Sequence, residues 1–115
     1  MGEKSSEMTI HRRLPYQFAT LIGDKNPIHT DDLYARKHGF KGSILQGMAT
    51  FCLIAREIIG DGDPATLQSL SVRFEAPVYP GEKIVLKTKR DGKTLLLALS
   101  DQRGQRLLSG RADLR

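Results

Sequence analysis

The hydrophobic pattern is densest from Gly47 to Ile59, where GMATFCLIAREII shows no polar face until Arg56-Glu57. Such a segment predicts a helix that must be buried on every side, so the remaining elements have to wrap around it. Gly60-Asp61-Gly62-Asp63-Pro64 ends it. After this break the period changes to two. Leu70, Val72 and Phe74 alternate with Ser71, Arg73 and Glu75, predicting a strand with one buried face. Pro80-Gly81 is a turn, and Lys83 to Arg90 follows with Ile84, Leu86 and Thr88 inward. Asp91-Gly92 is a two-residue hairpin signal into Thr94–Ser100, and Asp101–Gly104 turns into a last strand, Gln105 to Leu114.

Ahead of the apolar helix the pattern is weaker. Met8, Ile10, Arg12 and Leu14 alternate with their neighbours and predict a short strand over 8–14, while residues 1–7 are polar and are expected to be a loose leader. Pro15 suits the first turn of a helix over Tyr16–Ile22, with Phe18, Leu21 and Ile22 on one apolar face and Gly23 as its C-cap. A loop over Asp24–Thr30 contains the turn dipeptide Asn26-Pro27. Thr30 or Asp31 is placed to cap a short helix from Asp32 to His38, ended by Gly39, and Phe40 to Leu45 connects to the apolar helix with Gly42 as a hinge. Four sequential C-terminal strands, one N-terminal strand and one buried helix predict an α+β fold in which a curled antiparallel sheet surrounds a long helix. Residues 8–115 are expected to form a single domain.

Composition narrows the picture. The 115 residues suit one domain with a real core, at 39% hydrophobic and 27% charged. A single cysteine, Cys52, excludes an intrachain disulfide and a CxxC or zinc-type cluster, which points to a reducing, cytoplasmic setting. The longest apolar run, Met48 to Ala55, falls far short of the ~20 residues of a membrane span. No signal-type apolar region stands near the start; MGEKSS fits the loose N-myristoylation pattern but is read as a short leader. The formal charge is +5, yet the basic residues are dispersed and no zinc-finger, RNP or helix-turn-helix pattern accompanies them, so no nucleic-acid partner is expected. A modest positive field also suits a phosphorylated carrier, and charge alone does not choose.

The candidate chemistry lies in Gly23–Met48, GDKNPIHTDDLYARKHGFKGSILQGM. On the residues alone two readings stand. Asp24 and Asn26 could be turn formers and His29 a loop histidine, or Asp24 and His29, across a proline-fixed turn, could both reach one water. No third well-spaced soft ligand joins Asp24, His29 and Asp31, so no metal is expected. His11 and His38 have nothing tying them to this cluster. Lys83, Lys87, Lys89 and Lys93 read as a solvated strand face.

The run Phe18–Asp31, FATLIGDKNPIHTD, resembles the hydratase motif of the MaoC-like (R)-specific enoyl-CoA hydratases: glycine-aspartate, any residue, asparagine-proline, an aliphatic residue, histidine. Ala35, Gly39-Phe40, Ile44, Gly47-Met48, Leu70–Pro77 and Pro80-Gly81-Glu82 fall where that family has matching features, so the resemblance covers about residues 10–114. It implies a hot-dog fold and hydration of a trans-2-enoyl thioester to the (3R)-3-hydroxyacyl product, or the reverse dehydration, without a cofactor. By resemblance, Asp24 and His29 are the catalytic pair that activates one water for syn addition, and Asn26 orients the site or binds the water. The start of the apolar helix answers a further need of this reaction, because its unpaired N–H groups sit at the positive end of the helix dipole. Glycine lets a carbonyl come close, so the Gly47 N–H is read as the donor to the thioester oxygen, the alternative being that the glycine serves only close packing of the helix. The expected partners are an acyl-CoA or acyl-carrier-protein thioester and a second copy of the chain. A dimer would remove the exposed edge of a short sheet, with the acyl chain lying between protomers.

Two positions depart from the family pattern. Gln46 stands where the family usually has histidine, and Ala55 where members often carry serine, leaving Thr50 as the helix's only hydroxyl. These departures motivate one rival, an acyl-thioester-binding subunit without turnover. The other rival is a hot-dog acyl-CoA thioesterase, which would release free thiol.

Overall fold

A computed structural model describes residues 2–115. Five strands form one antiparallel sheet: β1 (Glu3–Thr9), β2 (Leu67–Phe74), β3 (Lys83–Asp91), β4 (Thr94–Asp101) and β5 (Arg106–Leu114). Three helices precede β2: α1 (Leu14–Ile22), α2 (Asp32–Lys37) and α3 (Gly47–Ile59). The strand order is β1-β3-β4-β5-β2. The three strands β3, β4 and β5 thus form a central meander, and the strand after α3 pairs at one edge. The period-two patterns produce this arrangement directly: Ile84 and Leu86 on β3, Leu97 and Leu99 on β4, and Leu108 and Ala112 on β5 are all buried. They pack with Ala49 and Ile54 of α3 in one core cluster. This is the α+β hot-dog arrangement, a curled sheet around the long helix.

The turn chemistry behaves as its residues dictate. Asp91 pairs with Thr94 across a tight turn in which Gly92 takes a φ of 62°. Gly110 serves a different purpose: a Cβ there would lie 2.6 Å from the backbone oxygen of Ser71, so glycine lets β2 and β5 approach.

Four local expectations are corrected. The N-terminal strand spans Glu3–Thr9, not 8–14, and residues 3–7 are not a loose leader; they pair along β3 from Glu3↔Lys89 to Thr9↔Lys83. An edge strand exposes one side to water and tolerates the polar residues that argued against a strand. On α1, Leu21 is 79% exposed and Ile22 is also exposed, while Pro15 and Ala19 are buried. Of the face that the i, i+3, i+4 spacing suggested, Phe18 packs against the core and Leu21 and Ile22 do not; the buried stripe runs instead through Leu14, Pro15, Phe18 and Ala19. Helix α3 is not buried on every side within one chain, since Met48 is 59% exposed and Cys52 is exposed. Phe74, expected to point into the core from β2, is 46% exposed.

Candidate active site

The site begins where α1 stops. Gly23 adopts the left-handed conformation, with φ 70°, and its N–H returns to the Ala19 carbonyl. The Asp24 N–H bonds the same carbonyl at 3.0 Å, which fixes where the aspartate leaves the helix. Its Oδ1 then accepts the Asn26 N–H at 2.9 Å, a local side-chain turn that leaves Oδ2 free to face elsewhere. Asn26 repeats the device: its Oδ1 accepts the Ile28 N–H at 3.2 Å and caps a single 3₁₀ turn over Pro27–His29, with Pro27 at the first position. These two polar side chains and one proline leave the loop little freedom.

The 3₁₀ turn carries His29 inward until it is buried. Its Nδ1 lies 2.9 Å from the Ile44 carbonyl oxygen, and Ile44 N–H returns a 3.0 Å bond to the Ile28 carbonyl. A carbonyl only accepts, so Nδ1 carries the hydrogen and donates. The other nitrogen, Nε2, lies 3.5 Å from Asp24 Oδ2. In the neutral ring Nε2 is an acceptor, and so is the carboxylate oxygen beside it. Two acceptors held this close are satisfied together by a molecule with two hydrogens to donate, and water has that form.

The segment that holds His29 also leads into α3. Leu45 N–H bonds the Val78 carbonyl at 2.7 Å, and three residues after Ile44 the helix begins at Gly47. The first N–H groups of a helix have no partner inside it. A Cβ on Gly47 would lie 3.3 Å from Cζ of Phe74, whose ring therefore rests on the helix start. Gln46, which precedes the glycine, is buried; its Nε2 donates to the Pro15 carbonyl at 2.7 Å, while its Oε1 has no partner.

Of the residues singled out in the sequence, the fold brings Asp24 and His29 face to face. It sets Asn26 beneath them as a cap and puts Gly47 at the helix start beyond Ile44. The Asn26 oxygen is committed to the turn, which supports the orienting half of its expected role. Sequence reasoning missed the Ile44 carbonyl, a backbone atom with no residue signature, and Phe74, whose alternation with polar neighbours resembles that of any core strand residue. His11 and His38 stay exposed; the His38 ring stacks on Tyr34 with centroids 4.2 Å apart. A cavity of about 380 Å³ lies between the C-terminal turn of α3 and the sheet, lined by Ile58, Ile59, Leu67, Leu86 and Leu95 among others, and touches neither Asp24 nor His29. Among the described residues, no group of three His, Cys, Asp or Glu side chains converges on a metal-sized site, and no helix is long and apolar enough to cross a membrane.

A family model described as "MaoC like domain" matches residues 3–107. The chain belongs to the MaoC-like family. It is 36% identical over 78 residues to the peroxisomal multifunctional enzyme type 2 of Mus musculus, covering 65% of this chain and 11% of that protein. It is 32% identical over 99 residues to the peroxisomal enoyl-CoA hydratase 2 of Arabidopsis thaliana, covering 83% of this chain and 32% of that protein. Among solved structures, the R-hydratase PhaJ1 of Pseudomonas aeruginosa is 26% identical with a TM-score of 0.83, covering 98% of this chain and 78% of that one. The MaoC-like chain thus spans between 11% and 32% of these two curated relatives.

Proposed function

We propose that this protein is a hydro-lyase that adds water across a trans-2-enoyl thioester to give the (3R)-3-hydroxyacyl thioester, and that it runs the reverse dehydration. The observation that carries the proposal is the pairing of His29 Nε2 with Asp24 Oδ2 at 3.5 Å, with Nδ1 committed to the Ile44 carbonyl. Water bridging the two acceptors has its hydrogens turned toward protein and its lone pair free for the β-carbon. As the C–O bond forms, the water's proton passes to this pair. The π electrons of the double bond move onto the thioester oxygen, and the pair returns a proton to the α-carbon from the same face. Hydroxyl and hydrogen therefore add syn. The negative charge on the thioester oxygen needs a donor, and the Gly47 N–H is assigned that role, worth ~3 kcal/mol if it acts like other such donors. Asn26 acts on the reaction by holding the turn that carries His29. The names of the relatives, an enoyl-CoA hydratase 2 and an R-hydratase, support the same reaction class.

The substrate carrier is coenzyme A or an acyl-carrier protein, either of which suits the formal +5 charge. The working unit is a homodimer. In support, Met48, Cys52 and Phe74 leave an apolar surface beside the edge strand β2, which a second copy would cover while enclosing the acyl chain. A cytoplasmic setting goes with the single, unpaired cysteine.

Crotonyl-CoA, followed by its conjugated absorbance with a thiol-trapping reagent present, tests the reaction class. Loss of absorbance without thiol release, giving the (3R) product by chiral analysis, is the expected result. Thiol release would make the protein a thioesterase instead, and neither change on short or medium chains would leave a binding subunit.

A further inference from the structure

The peptide unit joining Gln46 to Gly47 carries the Gln46 carbonyl on one side and the Gly47 N–H on the other. A trans peptide is planar, so fixing the direction of one group fixes the other. The carbonyl faces into α3, where it accepts the Thr50 N–H at 3.1 Å and the Thr50 Oγ1 hydroxyl at 3.3 Å. Thr50 is 1% exposed and is the only hydroxyl residue in α3. The same peptide is steadied from outside the helix, because the buried Gln46 side chain donates to the Pro15 carbonyl of α1. A buried threonine bonding back four residues is a common way to satisfy a hydroxyl. Here the carbonyl it reaches belongs to the one peptide whose N–H opens the helix.

We infer that Thr50 is a positioning residue for the Gly47 N–H. Its hydroxyl holds the plane of the 46–47 peptide, so that the N–H stays aimed out of the helix start. As a second donor to the Gln46 carbonyl it also polarises that peptide, strengthening the N–H as a donor. The inference rests on the Gly47 role proposed above. It accounts for how one hydroxyl inside an otherwise apolar helix serves the chemistry without touching the substrate.

The experiment uses 4-(dimethylamino)cinnamoyl-CoA, whose absorbance moves to longer wavelength when its thioester carbonyl is polarised. It is bound to the Asp24→Asn protein so that the probe stays unreacted. Turnover of crotonyl-CoA is measured in the parent background. Thr50→Val is expected to reduce the red shift and lower kcat about fivefold, the scale of one hydrogen bond, with KM unchanged. Thr50→Ser, which keeps the hydroxyl, restores both, and Thr50→Ala stands in if the valine variant fails to fold. Gly47→Pro removes the N–H itself; the residue before it already has φ −58° and ψ 140°, which a following proline accepts, and proline is tolerated at a first helical position. Gly47→Ala is its control, adding the Cβ while keeping the N–H. Gly47→Pro is expected to abolish the shift, of which Gly47→Ala, with its Cβ tight against Phe74, keeps a part.

A Thr50→Val protein with the full red shift, whether or not its kcat falls, overturns the inference and leaves the Gly47 role standing. So does a Thr50→Ser protein that restores nothing. A Gly47→Pro protein that keeps the shift, or a Gly47→Ala protein that loses it equally, overturns the Gly47 role and the inference with it. Absence of any probe binding or red shift in the Asp24→Asn protein itself does the same.

Discussion

At the scale of single residues, backbone carbonyls orient the candidate site: that of Ile44 accepts from His29 Nδ1, and that of Ala19 accepts the Asp24 N–H where α1 ends. Asp24, Asn26 and His29 stood out as candidates only through the resemblance of Gly23–His29 to the hydratase motif, because by type and spacing alone they also fit an ordinary turn. The Ile44 carbonyl did not stand out, since every residue offers one and only the fold selects which. Asp32 shows the same limit. It reads as an ordinary helix-start acid, yet its Oδ1 accepts the Ser43 N–H at 2.8 Å and ties α2 to the connector entering α3. That bond holds its carboxyl below the ordinary value of 3.8. A depressed carboxyl stabilises the fold when ionised, so its contribution is fully present above about pH 4 and is lost as the pH falls through the lowered folded value. Thermal melts of wild type and Asp32→Asn should therefore differ at pH 7, modestly because the carboxylate is exposed and screened, and converge on acidification. A gap that does not change with pH would show that the charge contributes nothing there.

Elements were legible to the degree that their period was clean. The strands β3, β4 and β5 alternate and bury what the alternation selects. The edge strand β1 did not announce itself, because Glu3, Lys4, Ser5 and Ser6 are poor strand formers in isolation and are held by the ladder to β3. For α1 the apolar spacing was half right, since Phe18 packs against the core while tertiary packing took Pro15 and Ala19 inside in place of Leu21 and Ile22. In α3 the residue that anchors the sheet is Ile54, fully buried in the core cluster. Ile54→Ala should destabilise the protein by about 3 kcal/mol, measured by urea unfolding, because the rigid sheet around it cannot collapse into the space left behind. A loss below about 1 kcal/mol would mean that the core relaxes and that α3 is not its centre.

For the whole molecule, the all-round apolar pattern of α3 said more than one chain displays. The pattern predicts complete burial, whereas Met48 and Cys52 lie open beside the half-exposed Phe74 and the edge strand β2. A sequence records which residues need cover without recording which chain provides it. If a second copy covers this face, Met48→Lys should shift sedimentation from dimer toward monomer and lower activity with it. A Met48→Lys protein that stays dimeric would place the interface elsewhere. At the centre of the proposed function, Asp24 and His29 together activate a water for addition to an enoyl thioester. The most direct test is the hydration rate of crotonyl-CoA for wild type, Asp24→Asn and His29→Gln, with folding checked by circular dichroism. Wild type should turn over steadily, and each folded variant should lose about a hundredfold or more in kcat. Variants that match the wild-type rate would contradict the role of this pair.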